Sequence, residues 1–436
     1  MRQRLLALFR TLRQGYLIWP LGLALGGVAL AFVVRQVDSS GAIETLNEME
    51  VSALTLSPGA AQDVLSTVAT AAVTILSLVY SMTLVVFTLA ASALGNRIIR
   101  TFGDNVLGQV TAGILAATFL FSLTALYLAH DDKAPLVSTA LAVMLALASV
   151  LLLIAFVNDV AHRIQIDNEL ARVQRILVGN VEALVRGARR SANPQRVPDR
   201  KDLPVTYEVT SRATGYIVAV HGPPLVRTMQ STNGWLMMRT SPGDFVLQGE
   251  TVATAFLSDA PSDADKFVRD LAENIEVADA RAPGNDILFN VHLMVEIALR
   301  ALSPGVNDSY TAVAAIDQLS AALAKLLDSD DLTMRLTSED GTVRVITQPI
   351  AIKAVLGAAL HPVRRAAASN VLVMLALARA LARLGTHASA GHGALLRKHI
   401  RLATSSGRQA IGETEDRDEL SEALWTAWRK TKRLPK

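Results

Sequence analysis

The sequence predicts a membrane α-helical bundle of four spans, followed by a cytoplasmic α+β part that contains a small barrel-sandwich-like β module and a helical C-terminal region. Three observations predict it. Hydrophobic residues make up 51% of the 436 positions, yet nearly all the long apolar runs fall between residues 17 and 157, and most charges and turn residues fall after 158. The run Gln62 to Arg100 has no Pro and no Gly before Gly95, too long and apolar for a surface helix. After the polar, proline-bearing stretch at Pro194, Pro198 and Pro204, the pattern shortens to strand-like alternation. These shifts divide the chain into a four-span domain (1–157), an amphipathic cytoplasmic helix (158–190), a linker (191–204), a β module (205–258) and a mainly helical cytoplasmic domain (259–436).

The first span, Leu17 to Val34, follows a tail with Arg2, Arg4, Arg10 and Arg13 and no acid. A cleaved signal peptide shares this layout, but the apolar run is long and no small-residue cleavage pattern follows. Gly22 and Gly26 form a G-x-x-x-G step that allows close helix contact. The next loop carries Asp38, Glu44, Glu48 and Glu50 and no Lys or Arg, which places it outside by the positive-inside rule. The second span then ends inside at Arg97 and Arg100. Leu107 to Ala129 and Pro135 to Val157 complete the bundle, joined by the short turn His130 to Lys133, and both termini are expected in the cytoplasm.

Beyond the linker, Thr206–Thr210, Gly215–Val220 and Trp235–Thr240 read as strands, with Ser241-Pro-Gly-Asp as a turn. The passage from Pro242 to Ala253 is similar to the hairpin of barrel-sandwich carriers, but no lysine occurs between Lys201 and Lys266 to hold a prosthetic group. Helices are expected over 263–279, 287–302 and 310–327, then a strand pair around 333–348 turning at Asp340-Gly341. Ala351 to Leu384, with Arg364, Arg365, Arg379 and Arg383, is expected to form packed helices rather than a fifth span. Leu396–Ile411 and Asp418–Lys430 close the chain as amphipathic helices.

Chemistry finds little support. Eight histidines form no H-E-x-x-H set, and no P-loop, G-x-S-x-G or G-x-G-x-x-G is present. No catalytic residue, metal or cofactor is expected. Zero cysteines exclude disulfides and thiol chemistry, and a spread formal charge of +3 gives no nucleic-acid footprint.

The second span carries the best functional clue. Thr67, Thr70, Thr74, Ser77, Ser81, Thr88 and Ser92 advance by 3, 4, 3, 4, 7 and 4, which keeps them on one stripe of a helix. At 1.5 Å per residue the stripe runs about 37 Å, the whole hydrocarbon thickness, whereas a packing motif needs two or three small residues. Asp63 extends it at the outer mouth and Asn96 at the inner mouth, and Leu84 with Val85 interrupts it where a ring of such residues would act as a dewetting constriction. One helix cannot enclose a pore, so this reading requires a homo-oligomer with the second span innermost. A helix-packing seam is the rival explanation.

The segment Ala298-Leu-Arg-Ala-Leu-Ser-Pro-Gly-Val-Asn-Asp308 stops one helix and starts another, with Asn307 or Asp308 as N-cap; Ser303, Asn307 and Asp308 are also the candidate loop site for an anion or a partner carboxylate. Together with Ser81-Met-Thr-Leu-Val-Val-Phe-Thr-Leu-Ala-Ala-Ser-Ala-Leu-Gly-Asn-Arg-Ile-Ile-Arg-Thr-Phe102, it resembles a family of predicted bacterial inner-membrane proteins of unknown function. Gly95-Asn96-Arg97 and Ser309 depart from that family's pattern at helix ends. The resemblance implies a bacterial membrane location with a large cytoplasmic part, and no activity. The expected function is a homo-oligomeric ion channel, in contact with membrane lipid and permeant ions, with a preference for cations. The alternatives are a non-conducting scaffold or sensor whose cytoplasmic domain binds a ligand or protein, and an alternating-access carrier, disfavoured because no broken helix or mid-membrane charge appears.

Overall fold

The computed structural model describes residues 18–39, 57–94, 106–129, 134–163, 166–191, 203–284 and 286–432. The chain forms two compact units, 1–165 and 166–436. Among the described residues, the first holds four helices long and apolar enough to cross a membrane: α1 (Ile18–Ser39), α2 (Pro58–Leu94), α3 (Val106–Leu128) and α4 (Leu136–Arg163). In lipid every backbone N–H must be satisfied within the segment, so uninterrupted helix is the form these apolar runs take.

Span α3 is the centre of the bundle and packs against all three others. Small residues permit this: Gly108, Ala112, Gly113 and Ala117 are buried along it. The close approach of α1 is made at Gly27, where a Cβ would stand 2.6 Å from the Ala117 carbonyl oxygen. Gly22 and Gly26, the expected contact step, meet nothing within 4 Å. The usable face is shifted by one residue because packing follows α3 rather than the spacing of glycines.

An acid also ties the bundle. The Asp38 carboxylate at the end of α1 accepts from the Val137 and Ser138 amides (3.0 and 3.2 Å) and from the Ser138 hydroxyl (2.6 Å), capping the N-terminus of α4.

The second unit begins with the amphipathic α5 (Ile166–Ser191), whose buried Leu170, Val173, Leu177 and Val181 lie on one face. It packs on α8 (Ile287–Ala301) and α9 (Ser309–Leu327). Strands β1 (Val205–Thr210), β2 (Gly215–Val220), β3 (Trp235–Met238), β4 (Phe245–Val246), β5 (Thr251–Leu257) and β6 (Ile275–Ala278) follow, with α6 (Gly222–Ser231) and α7 (Ala264–Ala272) between them. Two further strands, β7 (Arg335–Thr337) and β8 (Val343–Ile346), arrive from beyond α9.

The sheets are β1-β5-β3-β8-β7 and β4-β2-β6. Within the first, Val205 faces Leu257, Trp235 faces Phe256, and β8 joins β3 in parallel with Leu236 opposite Val345. The β module is therefore completed by residues some eighty positions beyond its expected end. The passage from Pro242 to Ala253 is not a paired hairpin: β4 belongs to one sheet and β5 to the other. Val209, Ile217, Leu236, Val246, Leu271 and Val345 meet in a shared core between the sheets and α6 and α7.

The remaining helices are α10 (Ile352–Ala366), α11 (Val371–His387), α12 (Gly393–Ala410) and α13 (Thr414–Lys432). Residues 351–384 form α10 and most of α11, packed against their neighbours, and are not among the candidate spans.

Candidate functional site

Helix α2 has two faces of different composition. Ala61, Leu65, Ala69, Ala72, Val79 and Val86 are buried and recur by 4, 4, 3, 7 and 7. Leu65 meets Ala31, Val34, Phe121 and Ala142 from the other three spans, and Val79 and Val86 meet Leu115 and Phe156. This alanine-rich seam is the one α2 uses inside its own chain.

The hydroxyl stripe lies on the other side. Thr67, Thr70, Thr74, Ser77, Ser81 and Thr88 are all exposed, as is Asp63 at the stripe's first turn. Leu84 and Val85 share that face at 65% and 55% exposure. Packing against the chain's own spans is thus ruled out as the reason for these residues, since none of the six is covered by α1, α3 or α4. Ser92 lies within α2, but its side chain is outside what the structure describes, and Asn96, Arg97 and Arg100 lie outside the described residues.

The hydroxyls are pre-bonded. Thr67 donates to the Asp63 carbonyl (2.7 Å), Thr70 to Ser66 (2.9 Å), Thr74 to Thr70 (2.7 Å), Ser77 to Val73 (3.0 Å) and Thr88 to Leu84 (2.9 Å), each one turn back. With the proton so engaged, what each hydroxyl offers its surroundings is oxygen lone pairs. The outward chemistry of these five is that of an acceptor, suited to water or a cation.

The loop between α8 and α9 is organised by its own groups. Asn307 sits at φ +49°, a left-handed conformation that asparagine tolerates, and turns the chain so that Asp308 becomes the N-cap. The Asp308 carboxylate accepts from the Thr311 amide (3.0 Å) and hydroxyl (2.6 Å), and these bonds hold its carboxyl below the usual carboxylate range. The Ser303 hydroxyl donates to the Arg300 carbonyl (2.7 Å). Ser309 accepts from Asn370 Nδ2 (2.7 Å), which joins α9 to the start of α11. A carboxylate already occupies the helix N-terminus where an anion would sit.

Sequence reasoning passed over two groups. Asp38 was legible only as one acid of a loop, because its partners lie about a hundred residues away. Asp286 caps α8 through the Phe289 amide (2.8 Å) and takes the Arg281 guanidinium in a fork at 2.7 and 2.8 Å. The signal was present there: Asp286 directly precedes an apolar helical run.

A family model with the description "Predicted membrane protein (DUF2254)" matches residues 13–383. The chain belongs to this family. Within the DUF2254 match lie all four spans, the β strands and the α8–α9 loop. Among curated proteins, "Uncharacterized protein Rv1290c" of Mycobacterium tuberculosis and "Uncharacterized protein Mb1321c" of Mycobacterium bovis are each 29% identical over 273 residues, 61% of this chain and 52% of the relative. The chain spans about half the length of these curated relatives. No solved structure matches the chain significantly.

Proposed function

We propose that this DUF2254 protein is a homo-oligomeric ion channel of the bacterial inner membrane, with α2 of each protomer lining a common pathway. The observation that carries the reading is the disposition of α2: its alanine seam is spent on the protomer's own bundle, and its hydroxyl face, Thr67 to Thr88, is left uncovered. An apolar face would suffice to meet lipid. A polar face as long as the hydrocarbon core calls for another occupant, and a ring of such faces would exchange part of an ion's hydration for hydroxyl oxygens.

Cation preference follows from two features: the back-bonded hydroxyls present oxygen lone pairs, and Asp63 stands at one end of the stripe. Leu84 and Val85 would form the dry constriction near its other end. The orientation, with Asp63 outside and the second unit in the cytoplasm, rests on the basic tail and the acidic first loop.

The reading is tested by ion flux into liposomes containing the purified protein. Potassium or sodium flux that Ser77→Trp abolishes without changing the oligomer supports it. A silent bilayer under voltage, tension and pH steps overturns it. A non-conducting scaffold or sensor is the second reading, and the hydroxyl bonds favour it to this extent: a hydroxyl bonded to its own helix is tolerated against lipid.

A further inference from the structure

From Gly341 to Gly412 the chain has ten Lys and Arg and no Asp or Glu. Two of the ten have carboxylate partners, Arg344 with Asp340 and Arg383 with Asp317. The other eight have none among the described residues. The acid-rich start of α13, with Glu415 and Asp416, follows directly, and none of its carboxylates pairs with these cations.

Five of the eight lie along the seam between α10 and α12 and the adjoining face of α12. Arg364 reaches across from α10 to donate to the Ser406 hydroxyl. His361 of α10 and His399 of α12 stand beside it with ring centroids 4.8 Å apart. Lys398 adds its charge to both histidines and Arg365 to His361. Along α12, Lys398, Arg401, Ser405 and Arg408 recur by 3, 4 and 3 on one exposed stripe. Arg401, Thr404, Ser405, Arg408 and Gln409 line an open groove of about 360 Å³.

Two features make this more than a solvated basic surface. Arg364 Nε and His361 Nδ1 are both buried without a hydrogen-bond partner, and a buried polar group left unpaired costs on the order of 1–3 kcal/mol. Arg364 and Arg365 also repel each other, Lys398 and Arg364 both add positive charge around His361 and His399, and no carboxylate among the described residues pairs with any of the three. The repulsion falls if an anion with several acceptor oxygens is present, the unpaired Arg364 Nε gains a partner if the guanidinium turns its fork to that anion, and guanidinium and ammonium groups together suit phosphate.

We propose that the α10–α12 seam binds a phosphate-bearing anion, held by Arg364, Arg365 and Lys398, with Arg401 and Arg408 receiving any further phosphate. The same chemistry is offered by a soluble phosphoryl compound and by an anionic lipid headgroup.

The experiment is calorimetric titration of the full chain in neutral detergent at fixed ionic strength. Inorganic pyrophosphate is one probe and dihexanoyl phosphatidylglycerol the other. Saturable binding of either is expected, weakened at least tenfold in R365Q and in K398Q, both exposed positions, and unchanged in R379Q on α11. R364K, which keeps the charge and loses the fork, should weaken it severalfold. Binding of pyrophosphate alone identifies a soluble ligand, binding of the lipid alone a headgroup, and binding of both the shared site. Absence of saturable binding with both probes, or equal binding in R365Q and K398Q, overturns the proposal.

Discussion

Gly243 and Asp286 show how one atom fixes a junction. Gly243 has φ +97°, and a Cβ built there would stand 2.3 Å from an Asp286 carboxylate oxygen. The turn after β3 therefore fits against the cap of α8 only with glycine. Gly243→Ala should lower the stability of the detergent-solubilised chain by about 2–4 kcal/mol, combining backbone strain with displacement of Asp286. Asp286→Ala should cost about 3 kcal/mol or more, since it removes a cap and leaves Arg281 without its partner in a largely buried pair. Chemical denaturation followed by circular dichroism measures both; losses below about 0.5 kcal/mol, the ordinary surface range, would show that the junction is not structural. The Ser241-Pro-Gly-Asp turn was legible from its residue types. The reason glycine is obligatory was not, because its partner lies more than forty residues downstream.

Helix α12 carries a pH dependence. Burial, followed by the nearby His361, Lys398 and Arg364, pushes His399 down to about 4 from its ordinary 6.5. The unfolded chain thus takes up the proton first, so this stability is fully present above pH 6.5 and is lost as pH falls to about 4. The loss is on the order of 3 kcal/mol at its limit. His399→Gln should flatten the unfolding profile across that window; an unchanged profile would remove His399 as its cause.

Helix α2 offers a second test at this scale, because the chain has no cysteine of its own. Single cysteines at Thr74 and Ser77 should react with a membrane-impermeant thiol reagent, while cysteines at Ala69 and Ala72 should be protected by the bundle. Equal protection at all four positions would place the stripe against lipid or protein rather than water. The helical period of the stripe was visible in the sequence, as were the spans. Helix α6 was not: Gly222-Pro223-Pro224 reads as a breaker, yet proline in the first turn of a helix lacks only an N–H that would be unpaired anyway.

Taken whole, the molecule's composition showed where the candidate spans end and the mixed α/β fold begins, because apolar runs and charged stretches do not mix along this chain. Long-range pairing stayed hidden. Nothing local in Val343–Ile346 announces a parallel partner in β3, and nothing local in Asp38 announces α4. Assembly belongs to this scale too. Ser77→Cys protein oxidised in the membrane should yield covalent dimers if α2 helices meet around an axis, and Leu147→Cys on the exposed face of α4 should not. Monomer bands from both would deny α2 the innermost position.

The threonine and serine bonds on α2 have a mechanical consequence. Because Thr67, Thr70, Thr74, Ser77 and Thr88 give their protons to carbonyls of the same helix, their polarity travels with the helix as it turns. Rotation of α2 about its own axis would break none of these five bonds and would be opposed mainly by the fit of Ala61, Leu65, Ala69 and Ala72 into the bundle. If α2 lines a common pathway as proposed, such a helix could swing its hydrophilic strip toward or away from that pathway at low cost, and side-chain size along the alanine seam would set how stiffly it turns.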